Sequence, residues 1–284
     1  MSHREEIIAA AVDLPALPLC VSRVMSLVDK PQLALCELAE VIRLDPGLTV
    51  NVLRLANSPY FNTGCGPVTN LREALFKLGI TRVKQLILSS TLASRMRGEI
   101  RGYGLGPGEL LRHSIAVGLG AEHLARHLDI MAPEHTFTAG LLANIGRIVM
   151  DQFLAQDRDI VLDLAKALPF EDAERAVMGI DNAELGAMVL DHWGLPKAIV
   201  NCVRWHLNPN LAPEVDIVLD LVHAGHVQAC MIGMAMGLDG MSHLVCQASY
   251  ERLGLTADIQ ALAMEDLVTD FANLEDLFQS QDAG

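Results

Sequence analysis

Asp45-Pro-Gly-Leu-Thr-Val-Asn-Val-Leu-Arg-Leu-Ala-Asn-Ser-Pro59 decides the fold class, because the start and the stop of a helix are both written into one short stretch. Asp45 can cap a helix, and proline is tolerated at the first helical position, where no intrahelical N–H is needed. Leu48 to Ala56 then keeps helical spacing of apolar residues, and Asn57-Ser58-Pro59 ends it. On the N-terminal side, Leu14-Pro-Ala-Leu-Pro18 suits an extended entry into a helix from Leu17 to Val28. A second helix, Leu35 to Leu44, follows with Leu35, Leu38, Ala39 and Ile42 on one face. On the C-terminal side, Thr69 can cap Leu71 to Leu78, Gly79 closes that helix, and Thr81 to Met96 runs on as another amphipathic one. The pattern predicts an N-terminal five-helix bundle.

Arg97 to Gly108, rich in glycine and carrying Pro107, is the expected boundary, dividing the chain into 1–108 and 109–284. Beyond it the periodicity predicts helices over Glu109–Leu128, Pro133–Phe153, Asp159–Ala167, Glu171–Met178, Ala183–Trp193, Lys197–His206 and Val215–Met236. A last amphipathic helix, Ala257 to Phe278, carries Leu267, Phe271, Leu274 and Phe278 on one side and acidic residues on the other, as suits packing onto its own domain. No strand alternation and no repeat period interrupt this reading, so the fold class is all-α. Gly102-Tyr-Gly-Leu-Gly-Pro-Gly lacks the Lys-Ser/Thr ending of a phosphate loop and reads as a flexible connector.

Composition narrows the function classes. A chain of 284 residues, 51% hydrophobic, suits about two domains with a large core. Its formal net charge of −14 is uneven, near +3 over residues 1–112 and −17 over the rest. That balance argues against nucleic acid, whose backbone calls for clustered lysine and arginine. Arg72, Lys77, Arg82, Lys84, Arg95 and Arg97 concentrate the positive charge and form a candidate surface for an acidic protein or a nucleotide, although a solvated helix face explains them more simply. The most apolar stretch, Ile217 to Leu238, contains Asp220, His223, His226 and Gln228, which argues against a membrane span. The N-terminus shows no secretory signal, and a cytoplasmic location is expected. The six cysteines stand singly beside apolar sequence, as buried reduced thiols do, so neither disulfides nor structural zinc are expected.

The first half resembles the bacterial HDOD signature in five elements taken in order: Leu14-Pro-Ala-Leu-Pro18, Glu37-Leu-Ala-Glu-Val-Ile, Asp45-Pro-Gly-Leu-Thr49, Leu53-Arg-Leu-Ala-Asn-Ser58 and Ala74-Leu-Phe-Lys-Leu-Gly79. The second half resembles the HD and HD-GYP phosphohydrolase core through His113-Ser114, Phe137-Thr-Ala-Gly-Leu-Leu142, Glu184-Leu-Gly186, Trp193-Gly-Leu-Pro196 and His206. The resemblance implies a five-helix bundle packed on an HD-like helical domain. In catalytic relatives, histidines and aspartates at matching positions hold divalent metal that activates water for phosphoester cleavage. Here His113 and His206 match ligand positions, but the His-Asp pair reads Ala143-Asn144, the histidine before Glu184-Leu-Gly is Asn182, and the late aspartate falls on Gly225. Alanine and glycine have no donor atom, and a neutral amide is a poor substitute for carboxylate on a hard cation. The resemblance therefore implies a degenerate site without metal or cofactor, in a regulatory module of bacterial signalling.

Three functions stay open: a non-catalytic module binding a signalling protein or a nucleotide second messenger, a phosphohydrolase with an atypical site, and a transcription-linked binding protein resting on the basic stretch. A surviving pocket is expected between the two units, near His113, Asn144 and His206. His123 and His127, at i and i+4, lack the glutamate of an HExxH site and read as surface residues; His223 and His226, on an apolar helix, read as core or interface packing. No nucleophile elbow or catalytic cysteine signature is present.

Overall fold

The computed structural model describes residues 3–15, 38–39, 42–43, 46–57, 66–133, 135–234, 237–240 and 245–279. Its described elements are helices α1 (His3–Val12), α2 (Pro46–Ala56), α3 (Leu71–Met96), α4 (Glu109–His127), α5 (Thr136–Leu142), α6 (Gly146–Leu164), α7 (Phe170–Met178), α8 (Asn182–His192), α9 (Lys197–Trp205), α10 (Ile217–Met231), α11 (Gln247–Leu253) and α12 (Ala257–Gln279). An isolated bridge between Ile100 and Leu105 is the nearest approach to a strand among the described residues, and the fold is all-α. No described helix is long and apolar enough to cross a membrane.

The chain forms two compact units, one of residues 1–16 with 95–268 and one of residues 17–94 with 269–284. In the smaller unit Leu38, Ile42, Leu48, Val52, Leu55, Leu75, Leu78, Val83 and Ile87 share one core. Asn57 pins the end of α2: its amide donates to the carbonyls of Leu53 and Val68, both at 2.8 Å, and its Oδ1 accepts from Val68 N at 2.7 Å. Asn70, rather than Thr69, caps α3, its Oδ1 accepting from Glu73 N at 2.8 Å while its amide reaches back to the Glu73 carboxylate. Gly79 kinks α3 with φ 74°, a left-handed conformation that glycine adopts without strain. The expected helix over Leu17–Val28 and most of that over Leu35–Leu44 lie outside the described residues, as do Ser58 and Pro59.

The larger unit is built around α4, whose residues from Leu110 to Ala125 are nearly all buried. Two of its glycines let neighbours approach at backbone distance. A Cβ on Gly140 of α5 would stand 2.7 Å from Gly118 Cα, and one on Gly225 of α10 would stand 2.7 Å from both Ala121 N and Val117 O. Arg97 to Gly108 is no loose connector: a short 3-10 turn at Arg101–Tyr103 buries Tyr103, and Gly102 N donates to Asp151 Oδ1 at 2.6 Å. Those residues thus belong to the larger unit, where the sequence suggested a boundary at 108.

The helix expected over Pro133–Phe153 breaks at Ala143–Ile145. There the hydrogen bonds tighten to i−3, from Ala143 N to Gly140 O, Ile145 N to Leu142 O and Arg147 N to Asn144 O. Beyond the break, α6 runs through the expected start at Asp159 with a kink at Asp157. Helix α1, which the periodicity did not single out, docks on α6 and α8, with Ile7 and Ala11 buried and Arg4 donating to Gly179 O and Glu184. Helix α11 was also missed. It clamps α10, because buried Asp220 accepts from Ser249 Oγ at 2.6 Å and from Arg252 Nε and Nη2 at 2.7 and 2.6 Å. The acidic residue in the apolar stretch is therefore a paired core group.

Candidate functional site

His113, His206, His223 and His226, together with Asn144, are between 0 and 2% exposed, and all lie within the larger unit rather than between the two. The His113 ring comes from α4. Its Nδ1 lies 3.0 Å from Met234 O, so this nitrogen carries the proton and donates to the carbonyl. The other nitrogen, Nε2, stands 3.3 Å from Nδ1 of His226 on α10. Four residues along the same helix, Cys230 Sγ lies 3.8 Å from His226 Nε2. Burial foremost, and then Asp239, push the Cys230 thiol up to about 12, with Arg147 pulling the other way. His206 packs its ring edgewise on His226, centroids 5.5 Å apart, and its Nδ1 donates to Val203 O at 2.8 Å. His223 is a core residue, as the sequence suggested: Nδ1 donates to His206 O at 2.7 Å and Nε2 accepts from Cys246 N at 2.9 Å.

Four of the six positions matched to a hydrolase site carry neither an imidazole nor a carboxylate. Ala143 and Asn144 fill the tight turn between α5 and α6 and are fully enclosed. Asn182 points elsewhere, its backbone N and its amide both donating to Glu174 Oε2 at 2.9 and 2.8 Å. Gly225 faces the α4 backbone, where a side chain would collide, and His226, one residue on, projects toward His113. The residues present do not fit a hard divalent ion, since the cluster on α4 and α10 has imidazoles and a thiol and no carboxylate.

A second buried polar group escaped the sequence reading. Arg147, 1% exposed, donates to Asp239 Oδ2 at 2.6 Å and stacks its guanidinium 4.9 Å from the Tyr103 ring centroid. The Tyr103 hydroxyl donates in turn to Glu174 Oε1. Burial raises the Glu174 carboxyl from 4.5 to about 7, against the hydrogen bonds from Tyr103 and Asn182, which pull it down. A carboxyl with a raised native pKa binds more protons folded than unfolded between those two values. Stability should therefore fall as pH rises through about 4.5 to 7, by up to about 3 kcal/mol. Glu174→Gln, which keeps an acceptor for Asn182, should flatten that slope in urea unfolding at pH 5 and pH 8. An unchanged slope would contradict the assignment.

The proposed basic surface is divided. Arg72, Lys77 and Arg82 lie on α3 in the smaller unit, with Arg72 exposed, while the side chain of Lys84 lies outside the described residues. Arg95 is drawn into the larger unit, where it donates to Pro15 O at 2.6 Å and lies 5.1 Å above the Trp193 ring centroid. Of the pair at i and i+4, His123 is buried rather than on the surface. Together with His127 it faces Asp266 on α12, at 3.9 and 2.9 Å.

Residues 14–209 match the family model of the HDOD domain. An uncharacterised protein of Treponema pallidum is 26% identical over 210 residues, which are 71% of this chain and 39% of that protein, so the chain spans about two fifths of that relative's length. Among solved structures, an HDOD domain protein of unknown function from Geobacter sulfurreducens superposes with a TM-score of 0.70 at 21% identity, covering 96% of each chain. A protein provisionally named for signal transduction, from Marinobacter aquaeolei, gives 0.73 at 20% identity, covering 97% of this chain and 64% of its own. These two likenesses establish the fold.

Proposed function

The chain belongs to the HDOD family, and from that premise we propose that it is a non-catalytic regulatory module, passing on a signal by binding a protein partner or a small signalling nucleotide. One observation carries the reading. Where an HD hydrolase presents its His-Asp pair, this chain has the methyl of Ala143 and the neutral amide of Asn144, both enclosed in the turn between α5 and α6. Activation of water by a hydrolytic metal needs carboxylate or imidazole donors and an open coordination position, and this turn provides neither. The donor set supports the same reading, because of the six matched positions only His113 and His206 keep an imidazole and none keeps a carboxylate. The provisional signal-transduction name of the Marinobacter protein agrees in kind.

The test is hydrolysis of a nitrophenyl phosphodiester and of cyclic dinucleotides by the full chain with manganese, iron(II) or magnesium supplied. Turnover no greater than that of His113→Ala is expected. A rate that drops about 100-fold or more in His113→Ala would establish a phosphohydrolase and overturn the proposal.

A further inference from the structure

We infer that His113, His226 and Cys230 form a buried site for one zinc-like metal ion, which ties α4 to α10. One ligand atom from each residue lies within 4.8 Å of the others, and all three residues are buried. The 3.3 Å between His113 Nε2 and His226 Nδ1 matches the edge of a tetrahedron with metal–nitrogen bonds of about 2.0–2.1 Å, which is about 3.3–3.4 Å. The Cys230 thiol lies beside the same ring, 3.8 Å from its other nitrogen, Nε2, and turns toward Nδ1 to join an ion held there. His226 and Cys230 sit one helical turn apart on α10, so a single face of that helix offers both.

The surroundings are those of a metal-binding histidine. Met234 O accepts from His113 Nδ1, which fixes the tautomer and leaves the Nε2 lone pair directed at the cluster. His206, edge-on to His226, is the further imidazole beside the site. Two imidazoles and a thiol without a carboxylate select zinc or a softer ion over magnesium, calcium or manganese. Metal-free, the three groups satisfy one another as a relay in which His226 donates to His113 and the Cys230 thiol donates to His226. Loading removes one proton in all: the thiol proton passes to His226 Nε2, the proton on His226 Nδ1 leaves to solvent, and a nitrogen–metal and a sulfur–metal bond form in place of the N–H and S–H bonds.

For Cys230 this departs from the plain buried thiol that the sequence suggests. It also goes beyond the functional proposal, because a structural ion is compatible with the absence of hydrolysis, and the two tests fail separately. Expression of the full chain without tag histidines, in minimal medium with cobalt(II) in place of zinc, allows the ion to enter during folding. Elemental mass spectrometry should find about one cobalt per chain, and absorption should show thiolate-to-cobalt charge transfer with the visible bands of tetrahedral cobalt. Cys230→Ser should lose the charge-transfer band, His226→Gln should lower the cobalt content at least about tenfold, and Cys202→Ser should change neither. Wild-type protein with less than about a tenth of an equivalent, or with cobalt but no thiolate band, would overturn the inference without reference to any variant's folding. A band that survives in Cys230→Ser would do the same.

Discussion

Gly146→Ala is expected to cost more than about 3 kcal/mol, enough to leave little folded protein, and the effect should appear as a collapse of the urea midpoint or as insoluble expression. The reason is the approach of α6 to α8. A Cβ at position 146 would stand 2.0 Å from Asn182 O and 2.6 Å from Gly186 N, both backbone atoms. Flexible side chains can swing aside from such a contact, but the first turn of a helix cannot. Asn182 is also held by two hydrogen bonds to Glu174, so displacing it would strip the partners of a buried carboxyl. Gly98→Ala is the matched control, since nothing lies within 4 Å of a Cβ there. It should change stability by no more than about 0.5 kcal/mol. A Gly146→Ala midpoint equal to that of Gly98→Ala would mean that the two helices do not meet as described.

Asp239→Ala should be nearly as damaging. It leaves the Arg147 guanidinium without its carboxylate in a place where 1% of the residue is exposed, and breaking a buried pair from one side costs about 3–5 kcal/mol. The Tyr103 ring against the guanidinium offsets only part of that. Adding Arg147→Met to Asp239→Ala removes the stranded charge and restores apolar packing, so the double variant should recover at least half of the loss. Urea unfolding of the two single variants and the double variant closes the cycle. A single variant within about 1 kcal/mol of wild type would show that the pair does not carry its charge in the folded core.

The motifs that carried the family resemblance have physical meaning in the fold, which explains why they were legible. Gly140 in Phe137-Thr-Ala-Gly-Leu-Leu142 is where α5 meets α4, and Gly186 in Glu184-Leu-Gly186 is where α8 meets α6. Asn57 was visible for the same kind of reason, because a side chain that closes a helix acts on its near neighbours in sequence. What stayed hidden acts at long range. Arg147 and Asp239 are 92 residues apart, Tyr103 and Glu174 are 71 apart, and nothing local in either segment announces the partner.

The role of His226 was hidden in another way. Advancing one residue turns a helix by about 100°, so His226, which meets His113, points to a different side of α10 from Gly225, which faces the α4 backbone. The break at Ala143–Ile145 hid as well, because its backbone stays in the helical region while only the hydrogen-bond spacing changes. Apolar periodicity does not distinguish the two.

The glycine contacts on α4 also limit how the larger unit can move. Gly118 meets α5 and Gly120 meets α10 at backbone distance, with no side chain between to act as a bearing. Sliding or rotating α4 alone would drive backbone against backbone on two flanks, so α4, α5 and α10 are expected to move together.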